Sequence, residues 1–145
     1  MTKHAYTGSV RLRDVWVHKR VGSLEKTLVP LDQFPYVLAL QHQNQRIFDE
    51  YVQSKGCIRC KDPGSNTWSQ LQKLTRKIAH HFDLQKGDHI HVWKASACKT
   101  SSGKVRVGSG KHRTSILRHL YGPDVKYHVK NGIVVGVTLH GKNIH

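Results

Sequence analysis

The chain has 145 residues, and its 24 Lys and Arg against 9 Asp and Glu give a formal net charge of +15 with 12 His taken as neutral. This length fits one domain with a buried core, and a hydrophobic content of 37% argues against disorder. No apolar run approaches the roughly 18 residues that span a bilayer, and the basic N-terminus lacks a secretory apolar segment. Three cysteines, an odd number, fit a reducing compartment. We therefore expect a cytoplasmic protein with no membrane partner.

The N-terminal segment is basic and contains one short alternation of apolar residues. Val10 and Leu12 are followed, after a shift, by Val15 and Val17, which predicts a strand with a bulge. We expect residues 1–27 to form a basic extension with this short strand, and residues 28–145 to form the domain. Trp16, between two valines, is expected to be packed.

Two helices follow a short edge strand and turn over residues 28–36, where prolines cannot donate to a ladder. The first helix has Asn44 as its expected N-cap and Gly56 as its end. The second has Ser65 or Asn66 as its cap. Its apolar residues recur at steps of three and four and predict a single buried stripe, which comprises Trp68, Leu71, Leu74, Ile78 and Phe82.

The C-terminal third is rich in strand signals. Residues 89–94 alternate in polarity, and residues 99–103 predict a turn into the next strand. Asn131 and Gly132 separate two apolar runs and predict a β-hairpin with a type I′ turn. The expected fold class is therefore α+β, with a small mixed sheet, helices packed on it and a C-terminal hairpin.

The run over residues 105–114 (VRVGSGKHRT) passes from a strand pattern through two glycines into a helical pattern, over Ser115 to Tyr121, that Gly122 ends. Amides at a helix start lack partners within the helix and favour an anion. The predicted phosphate or nucleotide site comprises Gly108, Ser109, Gly110, Lys111, His112, Arg113 and Thr114. An ordinary tight turn with solvated basic residues is the alternative.

Charge is unevenly distributed along the chain. Residues 89–145 contain one acidic residue, Asp124, against ten Lys or Arg and seven His. Such an excess attracts polyanions, and it predicts a nucleic-acid partner, with DNA favoured over RNA. The expected nucleic-acid contacts are Lys94, Lys99, Lys104, Arg106, Arg118, Lys126 and Lys130. An acidic partner protein is the alternative. Tyr36, Tyr51, Trp93 and Tyr121 could stack on bases, although such spacings are more typical of core residues.

The strand, the Gly-Ser-Gly-Lys-His-Arg turn and the helix ending in Leu-Tyr-Gly122, taken with the elements before them, resemble the ParB/sulfiredoxin superfamily over about residues 28 to 130. The resemblance implies that residues 110–112 contact a phosphate, that Arg113 clamps charge and that His112 acts as donor or acid. Ser109 replaces the family's Asp, which argues against hydrolysis or phosphoryl transfer. Lys111 replaces the cysteine of sulfiredoxins, and the missing thiolate argues strongly against their reaction.

Two functions of different class follow. The first is a DNA-binding module that grips a phosphate at the glycine turn. The second is an enzyme, either a nuclease, an NTPase or a phosphotransferase, that binds a nucleoside triphosphate with Mg²⁺ and uses His112 and Arg113 as catalytic residues.

A zinc site is not expected, although one weak candidate exists. The CxxC of Cys57 and Cys60 could be completed by His80 and Cys98, but the second half of this pattern is irregular. No other cofactor is indicated, and the oligomeric state is open.

Overall fold

The computed structural model describes residues 5–21, 25–54, 66–84, 90–94 and 104–145. Within these ranges it contains four α-helices and two four-stranded sheets, which confirms the expected α+β class. The strands are β1 (Gly8–Arg11), β2 (Val15–Val21), β3 (Glu25–Pro30), β4 (Val92–Lys94), β5 (Val105–Val107), β6 (Lys126–Lys130), β7 (Ile133–Leu139) and β8 (Lys142–Asn143). The helices are α1 (Pro35–His42), α2 (Gln45–Ser54), α3 (Trp68–His80) and α4 (Lys111–Tyr121).

One sheet, which we term the mixed sheet, has the order β3-β2-β5-β4. Strand β2 pairs parallel with β5, whereas the pairs β2–β3 and β4–β5 are antiparallel. Alternate residues of its strands are buried, as expected for a sheet with one face on a core. These buried residues are Val15, Val17, Val92 and Val107.

The other sheet, the antiparallel sheet, has the order β1-β6-β7-β8. The predicted hairpin is its centre: Asn131 and Gly132 have φ angles of 50° and 81° between β6 and β7, as a type I′ turn requires. The sequence predicted this hairpin as an addition to a single sheet. Strands β1 and β8 instead pair on either side of it and make it a second sheet.

Several connections join the two sheets, among them the segment with α4 that runs from β5 to β6. A 3₁₀ turn over Leu12–Asp14 carries the chain from β1 into β2, and Leu12 is fully buried there. At the opposite corner, isolated bridges link Ala5 with Trp93 and His91 with Ile133. Residues 1–27 were predicted to form an extension. Instead, β1 belongs to the antiparallel sheet and β2 to the mixed sheet.

Helices α2, α3 and α4 occur where the sequence predicts them. Asn44 caps α2 as expected, since its Oδ1 accepts from the amide of Arg46 at 3.0 Å. The cap of α3 is Thr67 rather than Ser65 or Asn66, because the Thr67 hydroxyl accepts from the amide of Gln70. Helix α4 begins at Lys111, one turn before the predicted start.

Helix α1 was not predicted. It begins with Pro35 at a position where the missing N–H costs nothing, and its apolar residues pack on all sides rather than along one stripe. Phe34, Tyr36 and Phe48 are buried near α1 and α2, with Tyr36 4.9 Å from the Phe34 ring and 5.2 Å from the Phe48 ring. None of the helices in the described ranges is long and apolar enough to cross a membrane.

Candidate nucleic-acid interface

The glycine turn between β5 and α4 is packed closely against β4. The Gly108 amide donates to the His91 carbonyl at 2.9 Å, and the Ser109 carbonyl accepts from the His91 amide at 3.1 Å. Gly110 has φ of 91°, and a Cβ there would lie 2.8 Å from Cγ1 of Ile90. A Cβ on Gly108 would lie 2.5 Å from Nε1 of Trp93. Both glycines are thus required by packing, whatever else the turn does.

His112 is held by neighbours from two other parts of the chain. Its Nε2 lies 2.9 Å from Oδ1 of Asn66, and because an amide oxygen only accepts, Nε2 is the donor. The ring stacks on Tyr36 with 4.6 Å between centroids, and the Tyr36 hydroxyl accepts from Nδ2 of Asn66. These contacts hold the imidazole of α4 against Tyr36 of α1 and against Asn66, which precedes α3.

His112 and Arg113 line a small cavity between α3 and α4. Its volume is about 230 Å³, and its other described lining residues are Asn66, Thr67, Gln70, Leu71 and Leu74. No carboxylate occurs among these described residues, so they offer no ligand of the kind that Mg²⁺ prefers.

Thr114 points into the core rather than towards the turn. Its hydroxyl lies 2.7 Å from the Tyr127 hydroxyl, and its amide donates to the Gly110 carbonyl at 2.9 Å. Thr114 is fully buried. Its predicted place in a phosphate site therefore has no support from the geometry.

The outward face of the mixed sheet combines tryptophans with cations. Trp16, Arg106 and Trp93 are register partners on β2, β5 and β4, so Arg106 lies between the two indoles on the same face. We call this surface, together with the cations beside it, the Trp/Arg face; it comprises Trp16, His18, Arg20, Lys26, Trp93, Lys104, Arg106 and Lys111. All of these are partly or largely accessible.

Contacts within the Trp/Arg face bring aromatic rings and charges together. Nζ of Lys104 lies 3.9 Å from the Trp16 ring centroid, within the range of a cation–π interaction. The Trp93 ring lies nearly parallel to His91, at 15°. Trp16 is therefore not the packed core residue that its valine neighbours suggested, whereas Tyr36 and Tyr51 are buried, as their spacing indicated.

The electrostatics of His18 show how concentrated the positive charge is. Burial lowers the pKa of His18, and the charges of Arg106, Lys26 and Lys111 lower it further. These cations come from β5, β3 and the first residue of α4, so the predicted glycine motif and the sheet contribute to one positive region. Burial also lowers the pKa of Arg106.

The other basic residues predicted to contact nucleic acid are dispersed. Lys126 and Lys130 lie on β6 in the antiparallel sheet, and exposed Lys94 ends β4. Arg118 donates from Nε to Oδ1 of Asp32 at 2.7 Å, and its side chain is only 14% exposed. Lys99 lies outside the described residues.

Sequence reasoning did not assign the basic residues of β2 and β3 to the site. Arg20 and Lys26 are register partners, and they extend the face that Arg106 begins. The alternation of Trp16, His18 and Arg20 opposite Val15 and Val17 was the signal that could have identified them.

The weak zinc candidate cannot be assembled from the described residues. His80 is exposed at the end of α3, while Cys57, Cys60 and Cys98 lie outside the described ranges. In the part of the chain that the structure describes, no group of three or more His, Cys, Asp or Glu could hold a metal ion.

Comparison with known proteins found no matching family model, no matching curated protein and no matching solved structure.

Proposed function

We propose that this chain binds nucleic acid and that the Trp/Arg face is its contact surface. The observation that carries the proposal is the row Trp16, Arg106 and Trp93 across three paired strands. Aromatic side chains stack on bases and cations neutralise phosphates, and here both occur at adjacent positions of one sheet face.

The low acid content around this face supports the proposal. Three cations lower the pKa of His18, and no acidic residue among those described opposes this shift. A concentration of like charge costs folding free energy, and a polyanion bound there would offset that cost. Release of counterions from the nucleic acid would supply much of the affinity.

Single-stranded DNA fits this surface better than a duplex. The indoles lie on a sheet surface, and a base can stack on an indole only after it has left the stacked bases of its own strand. Neighbouring strands are about 4.8 Å apart, so Trp16 and Trp93 are separated by roughly 10 Å with Arg106 between them. Two unpaired bases with a phosphate between them could occupy this row, and every base has a face that can stack, so little sequence preference is expected.

The glycine turn is proposed to lie at the border of this interface. Lys111, its first helical residue, adds to the charge near His18. The resemblance to the ParB/sulfiredoxin superfamily, in which several members bind DNA, supports the same proposal. It rests on Gly110, His112 and Arg113 after a strand and before a helix.

The proposed test measures the binding of labelled single-stranded and duplex oligonucleotides as salt is varied. With about five phosphates neutralised, the slope of log Kobs against log salt should be about −3.5 for single strands. Arg106→Ala should reduce the steepness of this slope by about 0.7. Trp93→Ala should lose about 1–3 kcal/mol of binding free energy with little change in slope.

Lys73→Ala provides the matched control, because it removes one exposed cation from α3 rather than from the Trp/Arg face. Its affinity should stay close to that of the wild type. Equal losses in Arg106→Ala and Lys73→Ala would indicate binding by net charge alone. Weak binding of every oligonucleotide at about 50 mM salt would contradict the proposal.

The enzyme alternative finds less support in the site. The cavity beside His112 and Arg113, at about 230 Å³, is smaller than the ~300–1,000 Å³ of ordinary small-molecule sites. Mg²⁺ bound with a nucleoside triphosphate is usually held by one or two carboxylates, and the described lining of this cavity contains none.

A further inference from the structure

A second concave surface lies on the antiparallel sheet, away from the Trp/Arg face. Its cavity volume is about 500 Å³, within the usual range for small-molecule sites. The described residues that line it are Arg11, Asp124, Lys126, His128, Thr138, His140 and Gly141. Strands β1, β6 and β7 thus contribute to one cavity, together with the turn before β6 and the turn after β7.

Two residues of like charge occupy paired strand positions in this cavity. Arg11 on β1 and Lys126 on β6 are antiparallel register partners, and like charges at such positions destabilise a sheet. Among the described residues, neither side chain forms an ion pair, and the cavity's carboxylate, Asp124, bonds to Arg13 instead. An anion between Arg11 and Lys126 would remove their repulsion.

The floor of the cavity is a fixed polar group. His128 lies between two hydroxyls, with Nδ1 3.1 Å from Oγ of Ser9 and Nε2 2.9 Å from Oγ1 of Thr138. Both ring nitrogens are therefore engaged across β1, β6 and β7. The imidazole is held at its position before any ligand enters.

The turn between β7 and β8 also lines the cavity. His140 and Gly141 have φ angles of 52° and 81°, which is the type I′ pattern that Asn131 and Gly132 also adopt. Here the conformation brings an imidazole to the same cavity as the two cations.

We propose that this cavity binds the phosphate group of a small phosphorylated molecule. The Arg11 guanidinium offers several donors in a planar fork, and Lys126 adds a compact charge, a combination suited to phosphate oxygens. The volume leaves space for the remainder of a ligand of nucleotide size. This site goes beyond the proposed nucleic-acid interface and does not depend on it.

The test titrates inorganic pyrophosphate into the full chain and follows backbone NMR signals and heat of binding. Wild-type protein should bind, with shifts concentrated in β1, β6 and β7. Lys126→Gln should weaken binding by about tenfold or more, since a charge-assisted contact is lost. Lys130→Gln, which removes the same charge from the same strand outside the cavity lining, should stay within about twofold of wild type.

Unfolding in urea shows whether loss of binding in a variant results from loss of folding. Without ligand, Lys126→Gln should unfold at a urea midpoint equal to or above that of the wild type, because a like-charge pair is gone. Pyrophosphate should raise the midpoint of the wild type and of Lys130→Gln, but not that of Lys126→Gln. A lower midpoint for ligand-free Lys126→Gln would contradict the proposed repulsion.

Two phosphate sources are separated by adding single-stranded DNA. Arg106→Ala should weaken DNA binding and keep pyrophosphate binding, so the two proposals can fail independently. Absence of pyrophosphate binding, or equal affinity in wild type and Lys126→Gln, would overturn the proposed cavity site. If Lys126→Gln weakened only DNA binding, the cavity would belong to the nucleic-acid surface, and the proposal would equally be wrong.

Discussion

His18 lies on β2 among cations that three other elements supply. Burial is the largest cause of its lowered pKa, followed by Arg106, Lys26 and Lys111. The folded chain therefore favours the neutral imidazole. As pH falls through the ordinary histidine range near ~6.5, the unfolded chain takes up a proton that the folded chain resists, so stability decreases there.

The pKa of His18 can be used to measure the positive charge around the Trp/Arg face. In an NMR titration, the His18 ring should protonate at lower pH than an unperturbed histidine. Arg106→Ala should raise the pKa of His18, because Arg106 is the neighbouring cation that lowers it most. A bound oligonucleotide should also raise the pKa of His18, because phosphates would lie nearby. No response of His18 to the oligonucleotide would place the bound strand elsewhere.

Gly110 allows the effect of close packing to be separated from that of backbone angle. Gly110→Ala places a Cβ on a backbone with positive φ, and that Cβ would lie 2.8 Å from the Ile90 side chain. Gly141→Ala places a Cβ at a similar φ of 81°, but no atom lies within 4 Å of it. In urea unfolding we expect about 1 kcal/mol for Gly141→Ala and about 2–4 kcal/mol for Gly110→Ala. Equal losses would mean that the segment before β4 moves easily at Ile90.

Single residues differ in how well the sequence predicts them. The conformations of Asn131 and Gly132 follow from their own chemistry, so the hairpin was predictable. The contact of Gly110 with Ile90 depends on a strand twenty residues away and was not. Glycine at the motif thus suggested ligand access, while the structure shows close approach of neighbouring side chains.

Helix α4 is tied to the antiparallel sheet by one buried hydrogen bond. The Thr114 and Tyr127 hydroxyls lie 2.7 Å apart, and both residues are fully buried. Burial raises the pKa of Tyr127 well above its ordinary value, and the bond to Thr114 opposes this shift. The Tyr127 phenol therefore ionises less readily than an exposed tyrosine.

Removing one partner of this bond should be worse than removing both. Tyr127→Phe leaves a buried hydroxyl on Thr114 and should cost about 1–3 kcal/mol of stability. The double variant Thr114→Val with Tyr127→Phe should recover part of that loss, as measured in a double-mutant cycle by urea unfolding. Strictly additive losses would mean that the bond does not couple the helix to the sheet.

Elements with a clear period were predicted, and those without one were not. The stripe of α3 places Leu71 and Ile78 in the core, as steps of three and four require. Helix α1 buries Tyr36, Val37 and Leu40 on several sides, so its sequence lacks a polar face that would indicate a helix. A buried helix of eight residues resembles a strand in such a pattern.

The Trp/Arg face exists only at the scale of the whole molecule. Trp16 and Arg106 are neighbours through the β2–β5 pairing, although 90 positions separate them in the sequence. No local pattern encodes that register, which explains why composition predicted a polyanion partner but not the face that we propose as its contact surface. The basic residues of β2 and β3 lie outside the range 89–145, in which the charge excess of the sequence is greatest.

A surface assembled from distant segments links binding to global folding. Single-stranded DNA at a free concentration 100 times Kd should increase the free energy of unfolding of the entire chain by about 2.7 kcal/mol. The unfolding midpoint should rise accordingly. A thermal melt at low salt should show this shift, and high salt should abolish it. A melt unaffected by DNA at low salt would mean that the folded face does not bind it.

Strand β3 forms one border of the mixed sheet, with Lys26 near its beginning and Pro30 at its end. A flat border of this kind could template a strand from another molecule and begin fibril growth. Pro30 has no N–H to offer an incoming strand, and Lys26 repels a second copy of the same border. The chain can therefore present an open ribbon of tryptophan and arginine to solvent while resisting polymerisation along its side.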